Sequence, residues 1–388
     1  MHLSNHSNKR EAITLLKNRK FILLLIVSFS LMFILAACGD SSDEDSDDTG
    51  VDNGEESKAK GDGDDTDFKA ALVTDVGGVD DKSFNQSAWE GLQSWGEEHG
   101  LEQGNGYDYA QSDADADYLP NLTRLVREEY DLIYGIGYKL EDAIGQIAEQ
   151  NPDNHFAIVD SVVEAPNVAS INFADNESSF LAGVVAAHKT NTDKLGFIGG
   201  VESDIITAFE VGFRAGAKSV NPDIDINVQY AGAFDAADDG KLIASSMYNE
   251  DRDIIFHASG ATGNGLFAQA KDIKKNDPDR EIWAIGVDRD QHEEGQIGDD
   301  NITLTSVLKR VDNAVVEVTN QAMNGEFPGG EMLELGLADE AVGLSTTNEE
   351  AMTQDLIDIA EEWKEKIING EVEVPHNYEE LDEFLDEL

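Results

Sequence analysis

A single cysteine, Cys38, stands in a chain of 388 residues. No internal disulfide can form, so no disulfide framework holds the fold. Basic residues are scarce: 27 Lys and Arg face 80 Asp and Glu, for a formal charge of −53. A surface this negative repels nucleic acid and anionic membrane faces, which excludes a nucleic-acid partner. It fits a secreted protein of a salty or alkaline habitat, and it says little about a ligand. The eight histidines are scattered, and no pair has metal-ligand spacing. Gly77-Gly78 and Gly260-Ala261-Thr262-Gly263 lack both the Lys-Ser/Thr of a phosphate loop and full dinucleotide spacing. No serine sits in an elbow motif, and nothing assembles a triad. No catalytic residue, metal or cofactor is therefore assigned. No short-period solenoid repeat is visible.

What the chain does contain begins with a leader. Lys17, Arg19 and Lys20 precede an almost unbroken apolar run, Phe21–Ala37, which ends in Leu35-Ala36-Ala37-Cys38-Gly39. The run approaches the length of a membrane span. Small residues at its end, and the cysteine directly after them, favour a cleaved signal peptide over residues 1–37. Leu-Ala-Ala-Cys resembles the lipobox of bacterial lipoproteins. That resemblance implies a diacylglyceryl group on Cys38, which becomes the mature N-terminus and attaches the protein to the membrane by lipid alone. The other reading is an ordinary signal with a chance cysteine. Residues 38–67 are Ser, Gly, Asp and Glu with almost nothing apolar. Such a stretch cannot bury enough surface to offset its ordering entropy, and it reads as an acidic flexible tether. A calcium loop would need a regular Asp spacing and a closing Glu, which this stretch lacks.

From Phe68 onward, short apolar runs alternate with amphipathic stretches. Strands are expected at 68–75, 131–137, 155–160, 168–173, 194–199, 226–230, 253–257 and 281–288. Helices are expected at 85–99, 119–129, 140–150, 178–188, 206–220, 240–249 and 263–276. This alternation predicts an α/β fold of parallel sheets with helices on both faces. It runs too long for one open sheet and restarts near residues 172–192, so two doubly wound lobes are expected. The segment from Glu349 has helical periodicity through Leu356, Ile359 and Trp363 and then turns acidic, which reads as a capping helix and a loose tail.

In doubly wound sheets, ligands meet the carboxyl ends of the strands. Three apolar runs finish in aspartate, at Asp75, Asp160 and Asp288, and two finish in glycine, at Gly137 and in Ser259-Gly260. Carboxylates there accept hydrogen bonds from hydroxyls or amines, and glycines admit a ligand to bare backbone N–H groups. Aspartate is also a favoured helix N-cap, so each one alone has a structural reading. Phe84 and Phe234 lie in loops after strands, where exposed rings invite stacking on a flat ligand. Each could equally be a satellite of the core.

The stretch from Leu72 to Gly91, LVTDVGGVDDKSFNQSAWEG, resembles the opening signature of the basic membrane protein family of lipoproteins, the PnrA-like nucleoside binders of the periplasmic-binding-protein superfamily. Further stretches of likeness are 130–137, 156–160, 177–183, 196–200, 209–213 and 283–291, so the resemblance covers nearly everything after the tether. It implies a type I binding fold with three crossovers at a hinge. Residues 68–172 with 288–322 would form the first lobe, 173–287 with 323–375 the second, and 376–388 an acidic tail. It further implies a monomeric, extracytoplasmic protein that captures a purine nucleoside between the lobes for an ABC-type importer and its permease. By motif, the base would stack between Phe84 and Phe234. Asp160, helped by Asp75, would accept hydrogen bonds from the base, with Asn85 also at the ligand. Asp288 and Lys309 would hold the ribose hydroxyls, and Gly260 would offer backbone. Where some members carry Asn after the first Asp, this chain has Val76. Phe209 and Phe213 are alternatives to Phe234, but their helical spacing reads as core. A sugar or another small polar solute, a sensing role without transport, and a nucleoside-hydrolysing enzyme are the rival readings.

Overall fold

The computed structural model describes residues 67–388. The expected signal peptide, Cys38 and nearly all of the tether lie outside the described residues. Within them, the apolar runs form strands that are buried on both faces, so helices must cover both sides of each sheet. The first sheet contains β1 (Ala70–Val73), β2 (Tyr107–Ala110), β3 (Leu132–Ile136), β4 (His155–Val159) and β5 (Val168–Phe173). A late strand joins them, and all pairings are parallel. Three helices intervene: α1 (Phe84–Glu98), α2 (Tyr118–Arg127) and α3 (Glu141–Gln150).

After β5 the chain crosses into the second lobe through α4 (Asp175–Lys189). There β6 (Lys194–Gly199), α5 (Asp204–Val220), β7 (Asp225–Tyr230), α6 (Ala237–Asn249), β8 (Ile254–Ala258), α7 (Asn264–Asn276) and β9 (Trp283–Asp288) repeat the alternation. A short hairpin, β10 (Gln296–Ile297) and β11 (Asp300–Asn301), precedes β12 (Thr303–Lys309). The chain then returns to the first lobe with α8 (Val311–Met323) and β13 (Met332–Leu335), and comes back to the second with β14 (Val342–Leu344). The sheet orders are β13-β5-β4-β3-β1-β2 and β14-β12-β9-β8-β6-β7, with β14 antiparallel to β12. Three crossings therefore join two doubly wound lobes, as expected.

The late boundaries differ from the sequence reading. Residues 303–309, expected in the first lobe, form a strand of the second sheet beside β9. Residues 332–335, expected in the second lobe, extend the first sheet beside β5. α8 packs on the first lobe. Its Val315 carbonyl accepts the buried Tyr134 hydroxyl at 3.0 Å, and its Asp312 backbone touches Gly91 of α1. Strand pairing decides such membership, and edge strands of four and three residues carry no periodicity that would reveal their partner.

At the hinge, α4 and α5 cross with backbones in contact. A Cβ on Gly183 would stand 2.1 Å from the Phe213 carbonyl oxygen, and one on Gly216 2.0 Å from that of Phe180. Glycine is required here by space rather than by φ. From α9 (Gln354–Ile368), Trp363 sets its ring 5.3 Å from Phe180 of α4.

The last residues are not a loose tail. Asn377 caps α10 (Tyr378–Asp386) by accepting the Glu380 N–H, and Leu381 is 1% exposed. The Tyr378 hydroxyl donates to Glu210 of α5 at 2.7 Å. Acidic composition hid an apolar face of Leu381, Phe384 and Leu385 that packs on the core. Removing residues 376–388 is expected to lower unfolding free energy by about 3 kcal/mol, the sum of one buried leucine and one charge-assisted hydrogen bond. Denaturant titration of the truncated chain would measure this, and an unchanged midpoint would contradict the docking.

Candidate functional site

The carboxyl ends of the two sheets face one another across a cleft. All eight residues expected to contact ligand line one cavity there: Asp75, Phe84, Asn85, Asp160, Phe234, Gly260, Asp288 and Lys309. It encloses about 560 Å³ of space free of protein atoms, part of it continuous with solvent.

Asp75 follows β1. Its Oδ1 accepts the Gly77 N–H at 2.8 Å and the Asn85 amide at 2.7 Å. The Asn85 amide also donates to Asp81 at 3.0 Å, and its oxygen accepts the Asp75 N–H at 3.2 Å. The polar atoms of Asn85 are thus all engaged by the protein, and its amide group separates two buried carboxylates. Phe84 sits in the first turn of α1 rather than in a loop, with its ring in the cavity. Phe234 lies in the loop after β7 and fits against Gly200, where a Cβ would stand 2.3 Å from the ring.

The other two strand-end aspartates share a backbone anomaly. Asp160 has φ 65° and Asp288 has φ 66°, both left-handed. Such geometry costs of order 1 kcal/mol in an L-residue and persists only where surroundings enforce it. Neither residue caps a helix. The Ser83 hydroxyl donates to Asp288, and Lys309 Nζ lies 2.6 Å from Asp160.

Lys309, at the end of β12, is 1% exposed and is the charge centre of the cleft. Its Nζ also meets Asp175 of α4 at 2.9 Å. The rings of Phe84, Phe173 and Phe209 lie around it at 5.2, 5.2 and 5.6 Å. Asp160 is therefore an immediate partner of this ammonium, whereas Asp75 sits with Asn85 and Asp81. Sequence reasoning missed several of these residues. Asp175, in the first turn of α4, was not singled out. Phe209 was assigned to the core along with Phe213; Phe213 is fully buried there, but Phe209 also lines the cavity. Asp81, Tyr138, Ile205, Ile206 and Ser259 also line the cavity.

Burial dominates the titration of the cleft. It pushes Asp75 up to about 6 and Asp288 up to about 7, and it raises Asp81 as well. Asp175 is raised by burial, against the pull of Lys309. Burial also pulls Lys309 down, but Asp160, Asp175 and Asp288 outweigh it and hold it above the ordinary lysine value. Carboxyls raised above their unfolded value of 3.8 stabilise fully below that value and lose the contribution as pH rises through the folded value. The raised lysine keeps its contribution until pH exceeds the ordinary lysine range. The unliganded protein is therefore expected to lose stability between about pH 4 and about pH 8, in the window of Asp75 and Asp288. Denaturant midpoints across that range would check it, and Asp288→Asn should flatten the fall. Equal or greater stability at the alkaline end would refute the assignment.

Comparison with known proteins places this architecture. Residues 68–378 match the family described as ABC transporter substrate-binding protein, PnrA-like. A CD4+ T-cell-stimulating antigen of Listeria innocua is 50% identical over 367 residues, covering 93% of this chain and 99% of that protein. The ABC transporter nucleoside-binding protein BmpA of Lactococcus lactis subsp. cremoris is 46% identical over 318 residues, covering 80% of this chain and 90% of that one. Among solved structures, an ABC transporter solute-binding protein from Aeropyrum pernix K1 superposes with a TM-score of 0.71 at 25% identity. The match covers 82% of this chain and 97% of that one. The family and these structural neighbours are solute-binding proteins, not enzymes.

Proposed function

The chain belongs to the PnrA-like family of ABC transporter substrate-binding proteins, and from that premise we propose that its ligand is a purine nucleoside. The observation that carries this reading is the cavity itself. Two rings, Phe84 and Phe234, come from opposite lobes, and carboxylates and one buried ammonium complete the lining. A flat base between two rings buries apolar area and excludes water. Asp288 and Lys309 suit vicinal hydroxyls, which would give them charge-assisted hydrogen bonds. Asp75 suits the N–H edge of a base. A 46% identical relative bears a nucleoside-binding name, which supports the same class. Contacts from both lobes favour the closed state when ligand is present, so an importer can tell loaded from empty protein.

We further propose that Cys38 carries the lipid that holds the protein at the extracytoplasmic face. A labelled fatty acid fed to the cells should be incorporated into the wild-type protein and not into Cys38→Ser; absence of label from the wild type would refute the anchor. For the ligand, calorimetric titration against adenosine, guanosine, inosine, cytidine, ribose and calcium is the test. Purine nucleosides should bind tightly and ribose weakly. Binding of ribose or calcium alone would overturn the stacking arrangement.

A further inference from the structure

Below the cavity floor, a chain of four groups fixes the direction of one hydroxyl. Gln291 follows β9, and its side-chain amide has one possible orientation. Its Oε1 lies 3.0 Å from the Val287 N–H, which can only donate, and its Nε2 lies 2.8 Å from the Lys82 carbonyl, which can only accept. The same Oε1 lies 2.9 Å from His257 Nε2. An amide oxygen cannot donate, so His257 Nε2 must carry the hydrogen. Burial pulls His257 down to about 4, so the ring is neutral and its Nδ1 is a bare acceptor. Ser259 Oγ is 3.2 Å from that Nδ1. The serine hydrogen is therefore committed to His257.

Ser259 is 1% exposed and lines the cavity beside Gly260, close to the Phe234 side. We infer that Ser259 is a specificity-determining residue that presents lone pairs only, and that it selects ligands carrying an N–H or O–H donor at this point. This inference rests on the nucleoside reading. A hydroxyl free to rotate would accept or donate and so tolerate either kind of group. Here the tautomer of His257, imposed by Gln291, removes that freedom. The three residues lie on two strand ends, and nothing in their sequence neighbourhood marks them as coupled. Gln291 also ties the device to the other lobe through Lys82, so the relay is complete when the lobes are together.

The test is a set of double-mutant cycles in which the second change is made on the ligand. Wild type and Ser259→Ala are titrated with guanosine, inosine and adenosine. They are also titrated with analogues that each lack one donor: purine riboside, 1-methylinosine and 5′-deoxyadenosine. In the wild type, deletion of the donor that Ser259 reads should weaken binding about tenfold or more. In Ser259→Ala that same analogue and its parent should bind alike, while penalties for the other deletions persist. If every penalty survives unchanged in Ser259→Ala, the inference is overturned and the nucleoside reading stands. If the wild type binds no nucleoside, that reading fails first and takes the inference with it. Thermal unfolding of Ser259→Ala, and its retained affinity for the donor-deleted analogue, separate loss of the acceptor from loss of the fold.

Discussion

Replacement of Lys309 by methionine is expected to be the most damaging single change in this protein. The side chain is buried, and its ammonium lies among Asp160, Asp175 and Asp288. Methionine matches the stem but supplies no charge. Three carboxylates would then share a dry pocket with no cation, and breaking such a buried arrangement from one side typically costs about 3–5 kcal/mol. The loss should depend on pH in a known direction. Without the ammonium, Asp175 and Asp288 are raised further, so the variant is least impaired where they are protonated and falls away as pH rises. Denaturant unfolding at about pH 5 and about pH 8 should show a wider gap from wild type at the higher value. An equal gap at both would mean that Lys309 acts by packing alone. Nucleoside binding should be lost at either pH, since the group expected to hold the ribose hydroxyls is gone.

Phe84→Ala is expected to separate binding from folding. Phe84 is half-buried and packs at the edge of the core, so its removal should cost the unliganded fold only about 1 kcal/mol. As one of two rings expected to sandwich the base, it should matter far more to the complex. Truncation of a central aromatic anchor costs about 2–4 kcal/mol, which is roughly a 30- to 1,000-fold loss of affinity. Calorimetry with guanosine would measure this. Phe84→Leu keeps an apolar side chain but no ring face, and should recover little. Full recovery by leucine would mean that the cavity selects for apolar volume rather than for a flat base.

The architecture was largely legible in advance because its signals are local. Runs such as Leu132–Ile136 and residues 283–287 are apolar throughout, which marks strands buried on both faces. Amphipathic stretches between them require helices on both sides. Strand-end aspartates and the loop ring of Phe234 were visible for the same reason, since their positions follow from where each run stops, whereas Phe84 opens a helix. The errors came where periodicity was short or misleading. β13 and β14 are too brief to declare a sheet, and α10 hides an apolar face inside an acidic segment. Phe209 serves core and cavity at once, which helical spacing alone cannot express.

By itself, the sequence determined the alternating α/β plan and the set of residues at the strand ends. Tertiary structure alone decided which of those residues meet. Asp160 and Asp175 lie 149 and 134 residues from Lys309 along the chain. Their encounter depends on the hinge crossings, which bring the end of β12 in one lobe to Asp160 after β4 and to Asp175 of α4. The direction of the Ser259 hydroxyl is likewise set by an amide 32 residues further along, acting through a histidine ring. Electrostatics and hydrogen-bond direction are sums over neighbours in space, and one-dimensional spacing carries no record of those neighbours until the sheets are assembled.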